Sequence, residues 1–229
     1  MKGQKGNMYD FAVAWNALHG ECSHKCVYCS TKTLKRFPVM QKCYSGEPRL
    51  NHVAMKENLY KGKYKDKLIF VCGQNDLFTT KVHEDIIVEI LNYCNNFPKA
   101  KFLFQTKNTE MLKYYSYLLP KNSIICTTIE TNRDYKLSVA PSINDRLNWF
   151  NQIERYEKHI TIEPICDFDL DIFSNMLISA KPVQINIGAD SKKHNLPEPS
   201  KKKILQLIYI LEKANIKVHK KSNLKRLLQ

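Results

Sequence analysis

No run of about 18 consecutive apolar residues occurs in this chain, which excludes a helix that spans a membrane. The first residues, Met1-Lys2-Gly3-Gln4-Lys5, lead into no long apolar stretch with a small-residue cleavage site, so no export leader is expected and the expected location is cytoplasmic. Glycine and proline are scarce, 7 and 9 of 229 residues, and they cluster nowhere. With no repeat and no low-complexity tract either, nothing in the sequence marks a linker, and the length suits one hydrophobic core better than two. One domain over residues 1–229, ending in a basic segment, is the expectation. Arginine is also scarce: only Arg36, Arg49, Arg133, Arg146, Arg155 and Arg226 stand among 36 basic residues. The positive field is therefore mostly lysine, which attracts phosphate without the bidentate geometry that reads it specifically.

Apolar residues make up 43% and charged residues 25%, a globular balance that excludes disorder for the bulk of the chain. The net charge of +14 is uneven: residues 1–67 hold 13 basic and 5 acidic groups, residues 68–191 hold 12 and 15, and residues 192–229 hold 11 and 2. Two basic ends enclose a slightly acidic middle. That distribution points to nucleic acid or another phosphate-bearing partner, the other reading being a solvated basic surface.

Short β-branched and aromatic runs alternate with longer segments of helical period. Strands are expected over 11–18, 67–72, 101–106, 123–129, 159–162, 183–187 and 216–220. Helices are expected over 82–96, 109–118, 143–157, 171–179 and 201–214. In the first, Val82, Ile86, Ile87, Ile90 and Leu91 share a face, and in the last Ile204, Leu205, Ile208 and Leu211 do. Residues 60–67 and 192–200 read as solvated loops. Nearly every strand after the second is followed by a helix, at roughly 30 residues per unit, so the fold class expected is α/β, a partial or full (β/α) barrel with mostly parallel strands. A doubly wound open sheet is the alternative.

Eight cysteines without an export signal read as thiols, and three of them stand in Cys22-Ser23-His24-Lys25-Cys26-Val27-Tyr28-Cys29. Three thiolates at this spacing can wrap one inorganic centre, and thiolate is the ligand type of iron–sulfur clusters. A structural zinc completed by His19 or His24 is the other reading, although zinc sites usually show two paired knuckles and no second C-x2-C is present.

This C-x3-C-x2-C spacing, with Tyr28 in the aromatic place, resembles the signature of the radical S-adenosylmethionine (SAM) superfamily. More narrowly, Trp15-Asn16-Ala17-Leu18-His19-Gly20-Glu21-Cys22, Phe70-Val71-Cys72-Gly73-Gln74-Asn75-Asp76-Leu77-Phe78, Thr127-Thr128-Ile129-Glu130, Ile162-Glu163-Pro164 and Asn186-Ile187-Gly188-Ala189-Asp190 resemble the landmarks of the phage-type Gp37/Gp68 radical SAM proteins. The resemblance implies a [4Fe-4S] cluster on Cys22, Cys26 and Cys29, with one iron open to chelate SAM. It also implies reductive cleavage to a 5′-deoxyadenosyl radical that takes hydrogen from a substrate, and a reductant such as flavodoxin or ferredoxin. Where the superfamily often has Gly-Gly-Glu after the second strand, Cys72-Gly73-Gln74-Asn75-Asp76 stands here, so the group that receives the SAM amino group stays open.

In parallel barrels, function gathers at the C-terminal ends of strands. Those ends carry Asn75 and Asp76, Thr106 and Lys107, Glu130 with Asn132, Glu163, Asp190 with Ser191, and Lys220 with Lys221, Ser222 and Asn223. Tyr28, Asn75, Asp76, Glu130, Arg146 and Glu163 are the candidates for SAM contact, and Lys107, Asp190, Lys220 and Lys221 for substrate contact. A carboxylate at such a mouth is costly unless paired or used. The structural alternatives are a surface helix cap for Glu130, a surface ion pair for Arg146, and a cap of a helix beginning near Thr79 for Asp76. Cys72 and Cys166, near strand ends, are the candidate hydrogen donors, while Cys94 and Cys126 read as core thiols. The basic ends favour nucleic acid or nucleotide as substrate. The rivals are an activase that acts on a protein partner, and a non-catalytic zinc protein that binds nucleic acid.

Overall fold

The computed structural model of the protein describes residues 12–192 and 194–229. Phe11, which begins the first expected strand, the leader segment at residues 1–5, and Lys193 of the expected 192–200 loop lie outside the described residues.

The chain runs β1 Ala12–Trp15, β2 Leu18–His19, α1 Ser30–Leu34, α2 Pro38–Cys43, β3 Arg49–Leu50, β4 Leu68–Val71 and α3 Glu84–Asn95. It continues through β5 Lys101–Thr106, α4 Thr109–Tyr114, β6 Ser123–Thr128, α5 Ile143–Asn151 and β7 Glu157–Ile162. The last elements are α6 Leu170–Ser179, β8 Gln184–Ile187, α7 Lys201–Lys213 and β9 Lys217–Lys220. Seven strands form one sheet in the order β1-β4-β5-β6-β7-β8-β9, and every neighbouring pair is parallel. The sheet curls into a half barrel, and among the described residues its end strands, β1 and β9, do not pair with each other; a full barrel needs eight strands to close.

Alternation along each strand divides the interior in two. Phe102 and Phe104 of β5 and Ile125 of β6 join α3 residues Ile87, Ile90 and Leu91 in the main core. On the opposite, concave face, Phe70, Leu103, Ile124 and Cys126 form a smaller apolar cluster. Cys94 and Cys126 are both fully buried. Helix α7 buries Ile204, Leu207, Ile208 and Leu211, the i, i+3, i+4, i+7 row, whereas the expected Leu205 falls off that row and is 45% exposed.

Several boundaries differ from expectation for local reasons. The first strand stops at Trp15 because Asn16 turns out of the sheet: its side-chain oxygen accepts from Gln74 N–H at 3.3 Å, and its carbonyl accepts from Asn51 Nδ2 at 2.9 Å. Leu18–His19 then pairs antiparallel with Arg49–Leu50. Helix α5 ends at Asn151 rather than at Glu157, because Glu157 already pairs with Ile124 at the start of β7. The 109–118 segment is α-helical only to Tyr114 and then tightens into a 3₁₀ turn over Ser116–Leu118. Within the expected solvated loop at 60–67, Tyr64 is buried and donates its hydroxyl to Glu57 Oε2 at 2.6 Å. No helix among the described residues is long and apolar enough to cross a membrane.

One glycine sets the entry to the cysteine loop. Gly20 has φ +101, donates its N–H to the Cys43 carbonyl at 2.8 Å, and a Cβ there would meet the Glu47 carbonyl oxygen at 2.5 Å. Gly20→Ala should therefore destabilise the protein by roughly 1–3 kcal/mol, read as a lower urea midpoint at unchanged slope. A wild-type midpoint would show that the 46–48 turn relaxes freely.

Candidate active site at the mouth of the half barrel

The strand ends surround a cavity of about 530 Å³. Cys22, Cys26 and Cys29 line it from the loop after β1, Asn75 and Asp76 from the loop after β4, and Lys107 from the end of β5. Glu163 enters from β7, Asp190 from β8, and Lys221 from just past β9. All three loop cysteines are free thiols. The loop is strapped from the β6–α5 connection by two backbone bonds, Val27 N–H to the Leu137 carbonyl at 2.9 Å and Val139 N–H to the His24 carbonyl at 2.9 Å. Burial and the nearby Asp76 carboxylate push the Cys22 thiol up to about 12. Burial also raises Cys26, against the opposing charge of Lys107. Among the described residues no three Cys, His, Asp or Glu groups are gathered as the ligands of a metal ion.

Asp76 ties the β4 loop to both neighbours. Its Oδ2 lies 2.9 Å from His24 Nε2 and accepts the Lys107 backbone N–H at 2.9 Å, while its Oδ1 accepts from Phe78 N–H at 3.0 Å. Burial raises its pKa, but the His24 ring and the N–H donors outweigh burial and hold the carboxyl below its usual range. Asp76 caps no helix at Thr79, because α3 begins only at Glu84. Asn75 Nδ2 donates to the Gly20 carbonyl at 2.9 Å, fixing the cysteine loop from the same side.

Glu130 is buried rather than on a surface loop, and it stands behind the cavity wall. Tyr28 donates its hydroxyl to Glu130 Oε1, Arg146 Nη1 donates to Oε2 at 2.9 Å, and Lys107 Nζ lies 3.8 Å from Oε1. Arg146 is buried too, and bonds the Thr128 carbonyl at 2.9 Å and the Pro141 carbonyl at 2.8 Å. Its donors thus hold Glu130 and the chain around it, and the surface ion pair expected as the alternative does not form. Burial pushes the Glu130 carboxyl up, but Lys107, Arg146 and the Tyr28 hydroxyl more than offset this and leave it below the usual range.

On the opposite side, Glu163 is held by Lys221 Nζ at 2.6 Å and by Asn223 Nδ2 at 2.7 Å. Gly188 makes room for this pair, since a Cβ there would sit 2.7 Å from Glu163 Oε1. Lys221 is buried, whereas Lys220 is exposed and outside the cavity, because successive strand residues face opposite ways. The two lysines do not act together at the mouth. Asp190 Oδ1 lies 2.7 Å from His194 Nδ1.

Cys72 and Cys166 are buried and line no part of the cavity. Burial pushes each thiol up to about 12. Cys72 sits at φ +56, where the chain turns out of β4, so its side chain faces the core instead of the mouth. A second network escaped sequence reasoning: Arg133 donates to Asp167 and Asp169, and Lys203 Nζ reaches Asp167 Oδ1 at 2.6 Å. No periodic pattern links positions so far apart. Arg36 and Phe37 were missed as well, and both line the cavity.

The buried Glu130–Arg146 pair yields a measurable consequence. Arg146→Met would leave a buried carboxylate short of its main partner and should destabilise the fold by about 3–5 kcal/mol in urea unfolding, with much of that recovered by adding Glu130→Gln. Because the folded-state pKa of Glu130 is held below its ordinary 4.5, the ionised carboxylate stabilises fully above that value and progressively less as pH falls below it. Urea midpoints should accordingly fall less between about pH 7 and pH 3 in Glu130→Gln than in the parent. Equal pH dependence in the two proteins would assign the effect to other carboxylates.

Comparison with solved structures identifies the fold. Spore photoproduct lyase complexed with dinucleoside spore photoproduct superposes with a TM-score of 0.63 at 10% identity, over 90% of this chain and 75% of that one. A mutant of the same enzyme with bound AdoMet and dinucleoside spore photoproduct gives 0.65 at 10% identity, with the same coverage of 90% and 75%. Streptococcus suis SuiB bound to precursor peptide SuiA gives 0.57 at 11% identity, over 93% of this chain and 49% of that one. At such identities the likeness is one of fold, the partial (β/α) barrel of the radical SAM type. No curated protein matches the sequence. The family model described as protein of unknown function (DUF5131) matches residues 10–180, and the chain belongs to that family.

Proposed function

We propose that this protein is a radical SAM enzyme that modifies nucleic acid or a nucleotide. The observation that carries the reading is the meeting of three free thiols, spaced C-x3-C-x2-C, with paired and hydrogen-bonded polar groups around one cavity at the mouth of a half barrel. The thiols fit an iron–sulfur centre in kind, and no second C-x2-C pair is present to complete a zinc site of two knuckles. Cys22, Cys26 and Cys29 would hold a [4Fe-4S] cluster, and the cavity beside it would take SAM. With both bound and a reductant such as flavodoxin or ferredoxin as electron source, they would supply reductive cleavage of SAM to methionine and a 5′-deoxyadenosyl radical able to take hydrogen from a substrate.

The chain's own part is to orient and enclose. Tyr28, Asn75, Asp76 and Glu163 face the cavity and are the groups we assign to SAM. Glu130 and Arg146 serve from behind, by fixing Tyr28 and with it the cysteine loop. Lys107 and Asp190 stand where a substrate would meet the cluster side of the cavity. Without cavity access, Cys72 and Cys166 are not assigned as hydrogen donors. We read residues 1–229 as one barrel unit with a basic C-terminal segment, and within the superfamily the sequence landmarks favour the phage-type Gp37/Gp68 group.

The substrate class is supported by the net charge of +14 and by the dinucleoside held in the similar fold of spore photoproduct lyase. Anaerobic reconstitution should give about four iron and four sulfide per chain, and Cys22→Ala, Cys26→Ala or Cys29→Ala should abolish the brown absorption. The reduced protein should release 5′-deoxyadenosine, with the rate raised by single-stranded DNA or RNA. Iron retained by the triple cysteine variant, or zinc at one per chain without acid-labile sulfide, would overturn the enzyme reading.

A further inference from the structure

Resting on the nucleic-acid reading above, we infer that Phe37 and Arg36, with Lys192 across the mouth, form the rim that receives a single strand, Phe37 stacking a base and the two cations taking the flanking phosphates. Phe37 lines the cavity and is 50% exposed, so part of its ring is open to a ligand. The Arg36 guanidinium lies over that ring, 4.9 Å from its centroid, so the pair is a flat surface that also carries positive charge.

Four cations line the cavity, and they divide sharply. Lys221 is 2.6 Å from Glu163, and Lys107 is 3.8 Å from Glu130. Among the described residues, no carboxylate pairs with Arg36 or Lys192, and both are exposed. Unpaired charge at the rim and paired charge deeper in is the arrangement that attracts a polyanion without trapping it.

Chain order separates Arg36 from Lys192. Arg36 and Phe37 lie between α1 and α2, after the edge strand β1, whereas Lys192 follows β8, next to the other edge strand. Both line the same cavity, from loops that follow strands at or next to opposite ends of the sheet. A strand laid across the mouth would meet Arg36 on one side and Lys192 on the other, with an intervening base free to turn into the cavity. An acidic peptide would use the cations but would leave the aromatic face unused.

The test is fluorescence anisotropy of the reconstituted full-length protein with a labelled oligodeoxythymidine about twelve nucleotides long, across a salt series. Phe37→Leu should weaken binding about tenfold at unchanged salt slope, and Phe37→Tyr should retain it. Arg36→Gln and Lys192→Gln should each lower the slope by about 0.7. Photocrosslinking of an iodouracil-substituted strand to the unaltered protein, followed by peptide mapping, should label Phe37 independently of how the variants fold. Parent binding that Phe37→Leu leaves intact, with crosslinks elsewhere, would overturn the rim while sparing the nucleic-acid reading. Failure of the parent protein to bind any oligonucleotide, alongside tight binding of polyglutamate, would overturn both.

Discussion

The site depends on one buried carboxylate. Glu130 is shielded from solvent, so its charge is sustained by Arg146, Lys107 and the Tyr28 hydroxyl around it. Each partner comes from a different part of the fold: the cysteine loop, the end of β5, and helix α5. Neutralising Glu130 therefore also determines where those parts sit. The cysteine loop has little regular structure of its own, and its position is set by this carboxylate from beneath, by Asn75 and Asp76 from the side, and by the backbone strap at Leu137 and Val139 from above.

A second carboxylate repeats the logic at the far wall. Glu163 is gripped by Lys221 and Asn223, beyond the last strand, and Gly188 leaves the space for that grip. The two clusters differ in access: Glu163 faces the cavity, whereas Glu130 is screened by Tyr28. One is placed to touch a ligand, and the other to hold what touches it.

Much of the architecture could be read from the sequence because parallel strands buried on both faces leave dense β-branched and aromatic runs, as at Lys101–Thr106 and Ser123–Thr128, which match expectation to within a residue. The cysteine motif was legible for another reason: its three cysteines are local in the chain. Helices α1 and α2 left no trace because they bury no residue and so carry no apolar period. The Tyr28–Glu130 bond spans 102 positions, and the Arg133 network joins loops more than 30 positions apart; no pattern of spacing encodes such contacts. Lys220 was misjudged because strand alternation, not proximity in the chain, decides which of two adjacent lysines faces inward.

The open edge of the sheet gives the lysines of β9 a role apart from any substrate. In general a strand at the end of a sheet is a template for pairing with another chain, and charged side chains along it oppose that pairing. Here that strand reads Lys217-Val218-His219-Lys220, with an exposed ammonium near each end, and a second sheet could add to it only by stripping water from both. Lys217 and Lys220 are thus placed to oppose the addition of a further strand at that edge.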